Sequence, residues 1–258
     1  MAAIMKKTVS VCTRQGLYPV PSLWDGLCRI YPGMADKKNG PPVLAFTGSG
    51  GKTSWIYALA EELRRQRRKV LIVTTTHMYA PVRWGVTEAR TDAVLNQLER
   101  EGIAVAGIPD GSGKISFIGD AVYTASCKAA EVVLVEADGS RRLPLKIMGV
   151  HEPVIPPQTD AILAFAGLQA LGQPVQDVCF RWQEQKLDPQ SVVTMPVFAR
   201  IWQTGCLDIL QKTYAAGIVK IVPVLHQADT PQLRHQARHI LAAAGADQGL
   251  VTSFRPQV

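Results

Sequence analysis

Cysteine is scarce in this chain and follows no pairing pattern. The five cysteines, Cys12, Cys28, Cys127, Cys179 and Cys206, are odd in number, scattered, and never arranged as Cys-x-x-Cys. Such usage argues against a disulfide framework or a zinc site and fits separate reduced thiols. Long apolar runs are missing as well, so no segment qualifies as a membrane-spanning helix. Met1 to Val11 holds two lysines but no apolar stretch of signal-peptide length. These absences together predict a cytoplasmic protein with no membrane partner. Neither an internal repeat nor a low-complexity tract occurs.

Acidic residues are in short supply, 21 Asp and Glu against 28 Lys and Arg, which leaves a net charge of +7. An excess of that size attracts polyanions, nucleotide phosphates among them. Nucleic acid is not expected as a partner. The densest basic run, Arg64-Arg65-Gln66-Arg67-Arg68-Lys69, falls at the end of a predicted helix, where cations complement the dipole. With 258 residues, 47% apolar and 19% charged, the chain suits one large α/β domain or two small ones.

Residues 1–40 read as a leader packed on the main domain. It contains a short helix over Ser22 to Tyr31, then Pro32-Gly33 and a polar loop, Asp36-Lys37-Lys38-Asn39-Gly40. From 41 to 258 apolar runs alternate with helical patterns. Val43–Phe46, Val70–Thr74, Glu131–Glu136, Ala161–Phe165 and Lys220–Leu225 read as buried strands. Helices are predicted from about Lys52 to Arg67, from Glu88 to Arg100, and around Leu233, Ala237, Ile240, Leu241 and Ala244. Pro223 removes a ladder hydrogen bond, so its strand is expected near a sheet edge. The less regular stretch at about 173–206 is expected as a helical insertion. The pattern predicts an α/β fold, a P-loop NTPase-like three-layer sandwich around a mostly parallel sheet.

The most informative segment is Thr47-Gly48-Ser49-Gly50-Gly51-Lys52-Thr53, which follows a strand and opens a helix. Gly48, Gly50 and Gly51 allow the backbone to gather N–H groups around one anion, and the positive helix end adds to that field. Ser49 completes the cradle, Lys52 is expected on the β- and γ-phosphates, and the Thr53 hydroxyl on Mg²⁺. The longer G-x-x-x-x-G-K-[ST] pattern has glycine where this chain has Phe46. The shorter spacing, counted from Gly48, resembles the loop of Mur ligases.

Ligands of parallel α/β sheets bind outside the carboxyl ends of the strands. Three of these strands end in polar residues: Thr74-Thr75-Thr76-His77, Glu136-Ala137-Asp138-Gly139 and His226-Gln227-Ala228-Asp229. Glu136 and Asp138 are candidates to hold Mg²⁺ or orient an attacking water. Thr75, Thr76 and His77 are weighed between strand structure and a place near the γ-phosphate. Asp229 stands where GTPases carry the aspartate that reads guanine, with helix capping as its alternative role.

Four blocks together resemble the YqeC family. They are the glycine loop at 47–53, Thr74-Thr75-Thr76-His77-Met78, Val135 to Lys146 with Glu136-Ala137-Asp138-Gly139-Ser140-Arg141-Arg142-Leu143-Pro144-Leu145-Lys146, and His151-Glu152-Pro153-Val154-Ile155-Pro156. The resemblance runs from about Val43 to Asp229, though the family's N-K-A-D is His226-Gln227-Ala228-Asp229 here. Family members are described as selenium-dependent hydroxylase accessory proteins. The resemblance implies a nucleotide-dependent role in maturing selenium-dependent molybdenum hydroxylases, with the hydroxylase or its maturation factors as partners. Arg141, Arg142 and Lys146 follow the acidic strand end and are expected to meet an anion, either the triphosphate or a molybdopterin-type ligand. His151 and Glu152 are further candidates for the cleft.

The reading is a Mg²⁺-dependent NTPase or transferase using ATP or GTP, with Lys52, Glu136 and Asp138 as catalytic candidates. Two alternatives stand beside it: a non-hydrolytic nucleotide-gated adaptor or cofactor chaperone, and a Mur-like ATP-dependent ligase.

Overall fold

The computed structural model describes residues 5–34, 40–214 and 219–256. The expected polar loop at 36–40 lies, apart from Gly40, outside the described residues. In chain order the first elements are β1 (Met5–Thr13), β2 (Leu17–Val20), α1 (Leu23–Ile30), β3 (Val43–Gly48), α2 (Lys52–Arg65), β4 (Val70–Thr74), β5 (His77–Tyr79) and β6 (Gly85–Val86). There follow α3 (Thr91–Glu101), β7 (Ile103–Ala106), β8 (Ile108–Pro109), β9 (Lys114–Ser116), α4 (Asp120–Cys127), β10 (Val132–Glu136), β11 (Leu145–Lys146) and β12 (Ala161–Gly167). The last are α5 (Val175–Val178), β13 (Cys179–Phe180), α6 (Met195–Trp202), α7 (Asp208–Tyr214), β14 (Lys220–His226), α8 (Pro231–Ala243) and β15 (Gln248–Pro256).

One large sheet runs in the order β2-β1-β15-β14-β12-β3-β10-β4-β7-β6. Its pairings are parallel from β6 through β15, and antiparallel where β15 meets β1 and β1 meets β2. Successive side chains of a strand point to opposite faces, so each central strand feeds two cores. Leu44, Phe46, Ile72, Leu134 and Leu163 pack with residues of α1 and α2. Val43, Ala45, Leu71, Val73, Val133 and Ile162 pack on the other face, with residues of α3, α4, α6 and α8. The result is a mixed α/β fold with a mostly parallel sheet between helical layers.

The amino-terminal segment is tied in through backbone and cap. β1 pairs with β15 from Met5↔Pro256 to Thr13↔Gln248. α1 starts at the cap Ser22, whose hydroxyl accepts from the Asp25 N–H, while the amides of Leu23 and Trp24 donate to the Glu62 carboxylate of α2 at 3.1 and 2.8 Å. In the 173–206 stretch, α5, β13, a 3₁₀ turn (Trp182–Gln185) and α6 follow one another, and β13 pairs with β11.

Pro223 corrects an expectation, because β14 is an internal strand. Its ladder to β12 is continuous through Ala164↔Pro223, but the ladder to β15 begins only past the proline, at Val224↔Leu250. Gly249 makes room there: a Cβ on it would come within 2.7 Å of the Pro223 carbonyl oxygen. Interior proline is thus accommodated by shortening one ladder and removing the side chain opposite.

Among the described residues no helix is long and apolar enough to cross a membrane. The basic run after α2 is partly used in packing, since the Arg68 guanidinium lies 4.8 Å from the Trp24 ring centre. Beneath the glycine loop sits an aromatic cluster in which Trp55, fully buried, meets Phe46, Phe165 and Phe254. Its indole N–H donates to Thr252 Oγ1 at 3.1 Å, and the same oxygen lies 2.7 Å from His226 Nδ1. Trp55→Ala is expected to lower the unfolding free energy, read from urea titration, by about 3–5 kcal/mol. A loss under about 1 kcal/mol would show that this cluster does not support the loop above it.

Candidate functional site

β3 delivers the chain into the loop between β10 and β12, and the first two loop amides are held from below. The Gly48 N–H donates to Asp138 Oδ2 at 2.9 Å and the Ser49 N–H to the Phe165 carbonyl at 3.0 Å. Three loop positions require glycine. Gly50 has φ +86° and a Cβ there would lie 2.5 Å from the Gly167 backbone. Gly48 has φ +85° and a Cβ there would lie 2.2 Å from the Phe165 carbonyl oxygen; Gly51 has φ +114° and a Cβ would lie 2.4 Å from His226 Cδ2. Gly51 also begins α2 without a side-chain cap. The first helical bond runs from the Trp55 N–H to the Gly51 carbonyl. The amides of Gly50, Gly51, Lys52 and Thr53 therefore donate to no protein acceptor among the described residues. A helix start of this kind leaves partial positive charge facing outward.

Lys52 does not point outward. Its ammonium donates to the Gly48 carbonyl at 2.5 Å and faces Asp138 Oδ1 at 3.0 Å, without the alignment of a hydrogen bond to that oxygen. Asp138 is fully buried and receives Thr47 Oγ1 at 2.7 Å, the Gly48 amide, and Lys146 Nζ at 2.8 Å, all on Oδ2. Burial alone would raise its pKa, but Lys52 and Lys146 outweigh that and hold it below the ordinary value. Lys146 in turn bonds the Gly139 carbonyl at 2.6 Å and Glu152 Oε2 at 2.7 Å, and Glu152 pairs with Arg181.

Glu136, at the end of β10, sits with Thr53. The Thr53 hydroxyl lies 3.1 Å from both carboxylate oxygens of Glu136. Burial pushes the Glu136 carboxyl up, with Lys52 and Thr53 pulling the other way. Thr76 Oγ1 is a buried oxygen without a partner, and it borders the same cleft. Two hydroxyls and one carboxylate are hard oxygen donors, the set that suits Mg²⁺, an ion that takes one or two carboxylates beside water and phosphate. No cluster of three or more His, Cys, Asp or Glu placed for a metal occurs among the described residues.

The cleft encloses about 850 Å³ and is bordered by Gly50 to Ser54, Thr76 to Tyr79, Glu136, Gly139 to Arg142, Glu152, Phe180, Arg181, Lys114 and Gln227. It brings together Gly50, Gly51, Lys52, Thr53, Glu136, Arg141 and Arg142 from the expected set. Ser49 is buried below the loop with its hydroxyl unpartnered.

Asp138 and Lys146 are moved out of the cleft by the structure, because both are consumed in the ionic cluster under it. Asp229 is also outside the cleft: the Ser253 hydroxyl and the Gln169 amide donate to its carboxylate. It is not the helix cap either, since Thr230 caps α8 and accepts from the Leu233 N–H at 3.0 Å. Thr75 bonds the Val154 carbonyl and borders a separate cavity. His77 lies at the cleft rim, 3.7 Å from Asp110, and exposed His151 borders another cavity. Sequence reasoning missed Lys114, Tyr79, Phe180 and Arg181, which reach the cleft from β9, β5, β13 and the turn after β13. Long-range pairing puts them there, and no local motif marks them.

A family model described as "YqeC protein" matches residues 44–183. A curated relative from Escherichia coli (strain K12), "Uncharacterized protein YqeC", is 36% identical over 151 residues. That alignment covers 56% of this chain and 59% of the relative, so the chain spans about three fifths of its length.

The ionic cluster predicts a pH signature. Because the folded pKa of Asp138 is depressed, its contribution is present above its unfolded value of about 3.9 and is lost as pH falls through the folded one. Asp138→Asn leaves Lys52 buried without its counter-ion and Lys146 with Glu152 alone, and is expected to cost about 3–5 kcal/mol at neutral pH. The variant should lack this part of the acid-induced loss in urea midpoints between pH 7 and pH 3. An acid profile parallel to that of the wild type would contradict the assignment.

Proposed function

The chain belongs to the YqeC family, and from that premise and the cleft we propose that it binds a nucleoside triphosphate, ATP or GTP, with Mg²⁺, and hydrolyses it or transfers part of it. The fold then serves as a P-loop NTPase-like sandwich working in the cytoplasm. The wider role implied by the family resemblance is maturation of selenium-dependent molybdenum hydroxylases, with the hydroxylase or its maturation factors as partners.

One observation carries the reading. Four consecutive amides, Gly50 to Thr53, lack protein acceptors at the mouth of a cleft where a hydroxyl and a carboxylate already meet. Those amides would bind phosphate oxygens through backbone alone. Lys52 would leave Gly48 and follow the incoming charge, and Asp138 would keep Lys146 as its partner. Mg²⁺ would be held by Thr53, Glu136 and the free Thr76 hydroxyl, and when bound it neutralises charge developing on the phosphates. Glu136, whose carboxyl is pushed up by burial, would orient an attacking oxygen and accept its proton at a carboxylate oxygen. Asp229 is engaged by Ser253 and Gln169, which gives no support to guanine selection.

A second reading, a nucleotide-gated adaptor without turnover, is favoured by the withdrawn position of Lys52. Its ammonium is buried on Asp138, so nucleotide binding would itself rearrange the charges under the loop.

Equilibrium binding and turnover of ATP and GTP test both readings. Wild type is expected to bind in the presence of Mg²⁺, and Lys52→Ala to weaken binding by about tenfold or more. Thr53→Ala should remove the Mg²⁺ dependence, and Glu136→Gln should bind nucleotide while losing turnover. Binding without turnover in the wild type, even with hydroxylase-system partners, would favour the adaptor. No binding of either nucleotide at millimolar concentration would refute both.

A further inference from the structure

The basic wall of the cleft divides into cations that have carboxylate partners and cations that do not. Lys52 and Lys146 are paired with Asp138, and Arg181 with Glu152. Among the described residues the charged groups of Arg141, Arg142 and Lys114 form no ion pair, Lys114 meeting Asp110 only through its backbone amide. Aromatic rings hold them instead. The Arg142 guanidinium and the Lys114 ammonium lie 4.6 and 5.6 Å from the Tyr79 ring centre, and the Arg141 guanidinium lies 5.0 Å from that of Phe180. A ring face positions a cation without neutralising it.

The holders are set in paired strands. Tyr79 stands opposite Lys114 in the β5–β9 ladder, and Phe180 stands opposite Lys146 in the β11–β13 ladder. Arg141 and Arg142 span the gap on two successive left-handed residues, φ +49° and +64°, a backbone state rare for residues with a Cβ. That turn sends neighbouring guanidiniums to different rings. Gathering three like charges on one wall is unfavourable until an anion joins them.

The wall also has a side. Arg141 and Arg142 follow β10, Tyr79 follows β4 and Lys114 follows β7, while Phe180 is returned from the segment after β12 by its pairing with β11; the ends of β12 and β14, Gly167 and His226, pack against Gly50 and Gly51 of the loop. Thr53 and Glu136 meet at the end of β10, so for a nucleotide seated in the loop as proposed the wall would stand beyond its terminal phosphate. At about 850 Å³ the cleft is near the upper end of the roughly 300–1,000 Å³ of single-ligand pockets.

We infer that Arg141, Arg142 and Lys114, held on Tyr79 and Phe180, form a subsite for a second ligand that carries a phosphomonoester and is distinct from the nucleotide. The placement beside the terminal phosphate rests on the nucleotide reading; the subsite itself does not. A phosphomonoester matches three positive charges better than a single carboxylate, and its oxygens fit the guanidinium fork. The second ligand would then face the nucleotide across Thr53 and Glu136, the arrangement of a two-substrate enzyme.

Fluorescence titration of the full chain with flavin mononucleotide tests this, with riboflavin as the same ring lacking phosphate. The expected result is saturable binding of the phosphorylated flavin alone, retained when the loop is filled with the Mg²⁺ complex of a non-hydrolysable ATP analogue. Arg142→Gln and Lys114→Gln should each weaken it by about tenfold, and Lys114→Gln should bind the analogue as wild type does. Equal binding of both flavins, mutual exclusion of flavin and analogue, or unchanged flavin affinity in the variants would overturn the subsite, as would no flavin binding at all. If the analogue fails to bind while phosphate-dependent flavin binding persists, the subsite stands and the nucleotide reading falls.

Discussion

Asp138 is a carboxylate with no access to water, and the interior tolerates its charge only because two ammonium groups, a hydroxyl and a backbone amide converge on it. Those four donors come from the end of β3, the start of α2 and the strand β11. One side chain therefore fixes the glycine loop relative to the loop after β10. It also sets the charge of the cleft above. By engaging Lys52, and Lys146 together with Glu152, it leaves the exposed positive charge to Arg141, Arg142 and Lys114. By drawing Lys52 down, it leaves the loop amides as the outward donors.

Much of the fold was legible because buried parallel strands write their position as unbroken apolar runs. Val70–Thr74 and Ala161–Phe165 lie within the observed strands, and Ile56, Leu59 and Leu63 form the buried face of α2. The outer strands were not legible for a matching reason. β1 buries Val9, Val11 and the adjacent Cys12 without a clean alternation, and its partner β15 lies more than two hundred residues away, so neither carries a local signature. Pro223 was misplaced because the rule against interior proline assumes a full ladder on both sides, and Gly249 relaxes that assumption.

The site shows the same division. Gly50, Gly51, Lys52, Thr53 and Glu136 could be assembled from spacing, because a strand, a tight turn and a helix leave little freedom in how they meet. Asp138 could not, since two residues along a chain decide between a cleft and a core only after Lys146 is known to be beneath it. Asp229 stood between guanine reading and helix capping from its place after β14, and Ser253 of β15 and Gln169 engage it. Tyr79, Lys114 and Phe180 carry no motif, and only the β5–β9 and β11–β13 pairings bring them to one wall.

Phosphate binding at this loop depends on the direction in which its amides point. Amide NMR of isotopically labelled protein, titrated with the Mg²⁺ complex of a non-hydrolysable ATP or GTP analogue, addresses that directly. The predicted result is that the signals of Gly50, Gly51, Lys52 and Thr53 shift most, with smaller changes at Gly48 and Ser49, whose amides are already bonded to Asp138 and Phe165. Loop signals that stay fixed at saturation, or largest shifts confined to the basic run at Arg64 to Lys69, would contradict it.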